Sequence, residues 1–438
     1  MKTNAYGREF IKYTSLNILG MLGLSCYILA DTFFVSEGVG LNGLAALNLA
    51  IPVYSFTHGT GLMLGMGGAT RYSILKSQGK EEGADRTFTN TVELTLAFGV
   101  FFALTGIFCS EAVTAMMGAD AQVFEMTKTY LHILLLFAPI FLFNDVMICF
   151  VRNDGNPALA MTGMLVGSFA NIFLDYFFIF PLKMGIFGAV LATGFAPAIS
   201  LLILSRHLIK RRNGFHLVKM RPKLSLTKQA VPLGIPSLIA ELSSGIVMIV
   251  FNAILLRLQG NVGVAAYGVV ANLSLVVVAI FNGMAQGIQP LVSRAYGARD
   301  MGNSRRVLRY ALFTMLGIAA AVYLSVFSLA GPITSVFNSE NNQQLQGIAE
   351  TGLKLYFTAV PFVGFNILLS VFFTSTEKAA PAHIISLLRG LFVIIPMAFF
   401  LSAEWGVNGV WLAFPATEMI VSAAGMGMYA GWLKRRKR

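Results

Sequence analysis

Four polar side chains in otherwise apolar surroundings have the types and spacing to share chemistry. They are Asp31 in NILGMLGLSCYILADTFFV, Asn171 and Asp175 in NIFLD, and Thr193 in GAVLAT. A carboxylate in an apolar run is costly unless a proton, a cation or a partner neutralises it. Asn171 and Asp175 stand four residues apart and therefore stack on one helical face. Two neighbouring carboxylates in low dielectric resist carrying two charges at once, so one proton, or a hard cation such as sodium, suits the set Asp31, Asn171, Asp175 and Thr193. The alternative is a buried hydrogen-bond network that only packs helices.

A second group forms stripes. Ser237, Glu241, Ser244, Met248 and Asn252 fall at offsets of 0, 4, 7, 11 and 15, one face of a helix. Asn282, Gln286 and Gln289 repeat the pattern further on. Glu241, Asn252, Asn282, Gln286 and Gln289 are expected to face a cavity, with polar helix–helix contact as the alternative. Glu93 and Asp145 lie nearer helix ends and are expected to pair or snorkel, and Arg389 and Glu418 could pair with each other.

The elements that must hold these residues follow from composition. Of 438 residues, 56% are hydrophobic and only 12% charged, and the mean hydropathy is +0.71. Continuous apolar runs of roughly 20 residues recur throughout, the length needed to cross about 30 Å of hydrocarbon. This predicts an all-α polytopic membrane protein; a β-barrel would show alternating segments of about ten residues. Twelve spans are expected near 10–35, 44–70, 88–109, 130–151, 158–180, 186–207, 231–256, 264–292, 307–329, 352–374, 381–402 and 410–432. In that frame Asp31, Asp175 and Thr193 share one depth. No cleavable signal is evident, because the first apolar run is too long and lacks a small-residue cleavage site. Three cysteines have neither metal-ligand spacing nor a disulfide framework.

Charge placement predicts orientation. The net charge is +12, and 27 of the 32 lysines and arginines fall on segments that share a side with the N-terminus, including the tail KRRKR. The positive-inside rule then puts both termini in the cytoplasm of a cell (plasma or inner) membrane protein. It also explains the basic balance without nucleic acid, leaving anionic membrane lipid as the partner of these loops.

The chain repeats itself. GMGGATRYSILKSQGKEEGADR (Gly65–Arg86) resembles GMAQGIQPLVSRAYGARDMGNSR (Gly283–Arg305), and GLAALNL resembles GVAAYGV, at an offset near 219. Six spans per half make this a parallel repeat. The expected division is an N-terminal lobe 1–210, a basic linker 211–230 and a C-terminal lobe 231–438.

Several stretches together resemble the multidrug and toxic compound extrusion (MATE) family, in its MepA-like branch: LADTFFVSEGVG, GLAALNLAIP, RNDGNPALAM, NIFLDYFFIF, GIPSLIAELSSG and GMAQGIQPLVSRAYGAR. The likeness covers essentially the whole chain. It implies two pseudo-symmetric six-helix lobes in a V around a central cavity. It also implies antiport: export of organic, often cationic, amphipathic compounds driven by protons or sodium, by a monomer without cofactor. Asp31, Asn171, Asp175 and Thr193 match the family's first-lobe ion site, and Glu241 matches an acidic position of its seventh span. Two features depart from the family: the first span lacks its early proline (KYTSLNI), and the tenth, VPFVGFNILLSVFFTST, lacks an aspartate. The second departure weakens any sodium site in the second lobe.

Two rival readings make different demands. A flippase for lipid-linked precursors requires a strongly cationic cavity, whereas Arg389 is the only base expected deep in a span. An intramembrane protease requires GxGD or HExxH; neither occurs, and His58, His132, His207, His216 and His383 are scattered.

Overall fold

The computed structural model describes residues 2–338 and 342–435, and its secondary structure there is helical. The basic tail Lys434–Arg438 lies outside the described residues beyond Arg435. The first six helices are α1 (Lys2–Gly38), α2 (Leu41–Ser77), α3 (Glu81–Met116), α4 (Phe124–Leu136 and Ala138–Asn153), α5 (Pro157–Ile179) and α6 (Gly185–Ile209). The two pieces of α4 meet at 49°, where Pro139 at the start of the second piece lacks the N–H that would continue the ladder. The stretch Leu224–Gly297 breaks at Gly260 (φ 62°) into α7 (224–259) and α8 (261–297). After α9 (Met301–Phe337) and α10 (Gln343–Ser375), a last stretch breaks at Gly406 (φ 56°) into α11 (379–405) and α12 (407–435).

These are the twelve expected spans, most of them longer at both ends. Among the described residues, eight continuous stretches qualify by length and hydropathy alone, or nine with the bent α4. The two stretches broken at glycine each hold two spans. Helix α2 falls short because it is rich in Gly and Thr and meets other helices rather than lipid: from Gly59 to Leu75 nearly every residue is buried.

The backbone carries the repeat more clearly than the side chains do. Positive φ recurs at Gly40 and Gly260, Gly79 and Arg299, Gly155 and Glu377, and Gly185 and Gly406. Each pair is 220–222 residues apart and sits at the equivalent helix junction of the two halves.

The halves meet along α1 and α2 on one side and α7 and α8 on the other. A Cβ at Gly67 of α2 would strike the Ala230 carbonyl of α7, and one at Gly287 of α8 would lie 2.8 Å from Thr14 Cα of α1. Gly67 and Gly287 are themselves 220 residues apart, so one close helix crossing is made twice.

The connection between halves is shorter than expected. Residues 210–223 are non-helical, and 224–230 already belong to α7. The connection is docked rather than loose. Phe215 is fully buried, 4.5 Å from the ring of Phe88 and 5.6 Å from that of Phe150. Asp154 accepts hydrogen bonds from Gly214 N (2.6 Å), His207 Nε2 (2.8 Å) and Tyr72 Oη (2.5 Å). The face holding this connection, the start of α1 and the end of α12 is the linker face.

Candidate functional site

The first polar centre lies within the N-terminal half, toward the face opposite the linker. Helices α1, α5 and α6 bring Asp31, Asn171, Asp175 and Thr193 together, all buried. The Asp31 and Asp175 carboxyl groups face each other closely enough to interact directly, an arrangement that a proton or cation between them would stabilise. Oriented by its surroundings, the Asn171 amide donates to Asp175 Oδ2 at 2.9 Å and accepts from the Thr193 backbone N–H at 3.3 Å. The Thr193 hydroxyl donates to the Ala189 carbonyl at 3.1 Å, and Tyr130 of α4 lies beside it. One oxygen of each aspartate, Oδ1, is buried with no partner among the described residues. Unused acceptors in a dry site leave room for a proton or a cation.

The second centre spans both halves. His58 Nδ1 of α2 meets Asp145 Oδ2 of α4 at 2.9 Å, and the Tyr54 ring stacks on the imidazole with centroids 5.7 Å apart and an interplanar angle of 13°. Tyr54 Oη hydrogen-bonds Tyr27 Oη at 2.9 Å, and Tyr27 stands one turn before Asp31 on α1. From the other half, Glu241 of α7 lies within electrostatic reach of His58 and Asp145. It approaches because position 59 is glycine; a Cβ there would be 3.1 Å from that of Glu241.

A third set closes the seam toward the linker face. Arg152 is fully buried; its Nη1 donates to Asn17 Oδ1 (3.0 Å) and to Gln286 Oε1 (2.6 Å). Gln289, also fully buried, donates to Thr70 Oγ1 (2.8 Å) and accepts from Asn153 Nδ2 (2.8 Å). Two ion pairs cross the rim, Arg71 with Glu377 and Arg294 with Glu9. From Gly283 to Ser293 only Gln286 of α8 is not buried, whereas Ser244 and Met248 of α7, nearer the other face, are exposed. The seam is shut on the linker side.

The C-terminal half holds a different cluster. Arg389 Nε donates to both carboxylate oxygens of Glu418, at 2.8 and 3.0 Å, and Asn366 Nδ2 donates to Glu418 Oε2 at 2.7 Å. Arg389 sits in a π-helical turn, Leu388–Phe392.

Several expectations need adjustment. Gln286 and Gln289 are seam residues here rather than cavity walls, while Asn252 and Asn282 are half-exposed. Asp145 pairs, but with His58 at the inter-half centre rather than near a helix end. Arg389 is not the only base away from solvent, because Arg152 is fully buried. Glu93 shows no pairing: its Oε2 is buried without a partner among the described residues. His58 and Arg152 were not singled out from the sequence. A lone histidine in the apolar, glycine-rich FTHGTGLMLG was the available signal for the first; the second reads as an ordinary basic residue at a helix end.

Twelve helices in two alike halves, buried carboxylates in one half and a polar seam between them define an all-helical membrane transporter. The profile of the MatE family matches residues 17–177 and 236–400. The chain belongs to that family, whose members are transporters and not enzymes. It is 25% identical over 413 residues to the "Multidrug export protein MepA" of Staphylococcus saprophyticus, covering 93% of this chain and 90% of that one. The protein of the same name from Staphylococcus aureus (strain MRSA252) is 24% identical over the same shares. Among solved structures, the outward-facing conformation of a multidrug resistance MATE family transporter of the MOP superfamily superposes with a TM-score of 0.91 at 25% identity, covering 98% of this chain and 96% of that one. A MOP superfamily transporter from Pyrococcus furiosus, described by the reverse polarity of its binding pocket, gives 0.92 at 25% identity, with 99% and 97% covered.

Proposed function

We propose that this protein is a cation-coupled antiporter that exports organic, often cationic, amphipathic compounds across the cell membrane by alternating access. The juxtaposition of the buried Asp31 and Asp175 carboxyls carries the reading: such a pair with unused oxygens can be charged and discharged by an ion. Asp31, Asn171, Asp175 and Thr193 form the coupling site, which takes a proton or, through the same oxygens, sodium. Glu241, Asn252 and Asn282 face the substrate path, while Gln286 and Gln289 belong to the gate. The lysine and arginine bias makes the linker face cytoplasmic, so the shut seam is the inner gate of an outward-facing state.

The energetics are adequate. One charge crossing 100 mV supplies about 2.3 kcal/mol, and one pH unit about 1.4 kcal/mol, so a single proton supports accumulation of tenfold or more. The flippase reading is not favoured, because the bases near the path are engaged: Arg152 by Asn17 and Gln286, Arg389 by Glu418.

Dye efflux from vesicles, with proton and sodium gradients imposed separately, tests the proposal. Export should follow one gradient and be lost in Asp31→Asn. Full gradient-driven export by folded Asp31→Asn overturns the coupling role, and export under neither gradient overturns antiport.

A further inference from the structure

The centre at His58 is not needed for coupling through Asp31, yet it is built with care. An imidazole, two carboxylates and an aromatic face are gathered where the halves meet. The charged groups acting on His58 are Asp145 from α4 and Glu241 from α7, and α1 contributes only Tyr27, through Tyr54. One base thus faces two acids, with Tyr54 stacked flat upon it.

Charge in such a place must be balanced, because an uncompensated ion in low dielectric costs several kcal/mol. Removing a positive charge from the cluster leaves Asp145 and Glu241 to repel each other, and a second cation packed against the Asp145 carboxylate and the Tyr54 ring would repel the imidazolium already there. The groups around the imidazole here, the Asp145 carboxylate at its edge, Glu241 within electrostatic reach and a phenol ring on its face, are also those that hold a flat organic cation. His58 and such a cation therefore compete for one set of partners. The side chain of His58 retains 15% exposure, and the stripe beyond Glu241 opens through Ser244 and Met248. A solute arriving from the open side meets this centre before the shut seam.

We propose that His58 is a tethered stand-in for the exported cation: protonated, it occupies the Asp145–Glu241 centre in the empty transporter, and an organic monocation binding there displaces its proton. The exchange balances. One positive charge enters, the N–H bond on the imidazole breaks, the proton leaves to water, and the ring stays behind neutral, free to swing from Asp145. The centre is thus a second place where substrate and proton exclude each other, in the seam rather than in the N-terminal half. Its preferred ligand is a flat or aryl-substituted monocation; a neutral compound has no means of displacing the proton.

This inference rests on the organic-cation reading above, and one experiment separates the two. Tetraphenylphosphonium binding to the purified full-length protein is followed by titration calorimetry in buffers of different ionisation enthalpy, which counts protons released per ligand bound. Asp31→Asn serves as the background, so that release from the first centre is suppressed. In that background about one proton should still leave per ligand at pH 6, and affinity should rise with pH by up to tenfold per unit. Adding His58→Gln should abolish the release and flatten the pH dependence. Adding His58→Lys, which keeps a cation that is far harder to discharge, should weaken binding at least tenfold across pH 6–8. The two substitutions move affinity at pH 6 in opposite directions, which loss of folding would not do. Proton release that persists unchanged in His58→Gln overturns the stand-in role and leaves the export reading intact. Absence of tetraphenylphosphonium binding to the unsubstituted protein overturns the cation reading and this inference with it.

Discussion

Gln289 Nε2 donates to Thr70 Oγ1 at 2.8 Å, tying α8 to α2 across the seam. The bond lies within a turn of Gly67 and Gly287, two of the positions where helices of the two halves approach closely. Both partners are buried, and Asn153 completes the set from α4. If the linker side opens during transport, these bonds must break together.

Gln289→Leu should therefore loosen the seam on the linker side. It strands the Thr70 hydroxyl and the Asn153 amide, and each buried orphan costs roughly 1–3 kcal/mol. The cost falls only on the state in which the seam is shut. A single cysteine at Ser73, which is 5% exposed, should react with a water-soluble maleimide from the linker face about tenfold faster in this variant. Unchanged labelling would mean that apolar contact alone holds the seam.

Arg389 and Glu418 invite a different test. Glu418 is 1% exposed and has no base other than Arg389 within ion-pair distance among the described residues. Arg389→Met should lower thermal stability in detergent by the equivalent of about 3–5 kcal/mol, the usual cost of stranding a buried charge. The double substitution Arg389→Met/Glu418→Gln should recover most of it. A double variant no more stable than the single would argue that the π-helical turn, not the charge, needs the arginine.

The docked connection makes a third prediction. Asp154 holds Gly214, His207 and Tyr72 at once, and the neighbouring Lys210, Arg211 and Arg212 are exposed. Asp154→Ala should release this segment and speed tryptic cleavage at 210–212 severalfold, because cleavage follows the population of the open local state. Cleavage at the original rate would place the anchor in the Phe215 ring cluster alone.

The fold was legible because lipid imposes it: each span must be apolar for its whole length and helical to satisfy its own backbone. The four residues around Asp31 were legible for a related reason, since a carboxylate in such a run stands out. Depth counted along two outward-running helices and one returning helix was enough to make them neighbours. The seam was harder to read. Gln289 and Arg152 sit on helices whose buried faces point at protein, and a polar side chain there looks the same whether it lines a cavity or joins two helices. Only the partner decides, and partners such as Thr70 and Asn17 lie more than 130 residues away in the chain. His58 was missed because its significance comes from Asp145 and Glu241, on two other helices.

The positive-φ junctions at Gly40 and Gly260, Gly79 and Arg299, Gly155 and Glu377, and Gly185 and Gly406 carry a consequence for heredity. A chain that has copied its own skeleton can vary the contents of one copy while the other keeps the original trade. Here the first copy carries the buried pair Asp31 and Asp175, and the second a carboxylate, Glu418, clasped by its own arginine. Under the function proposed above, one half changes its charge while the other holds it constant, so that twin frames serve as a moving part and a fixed one.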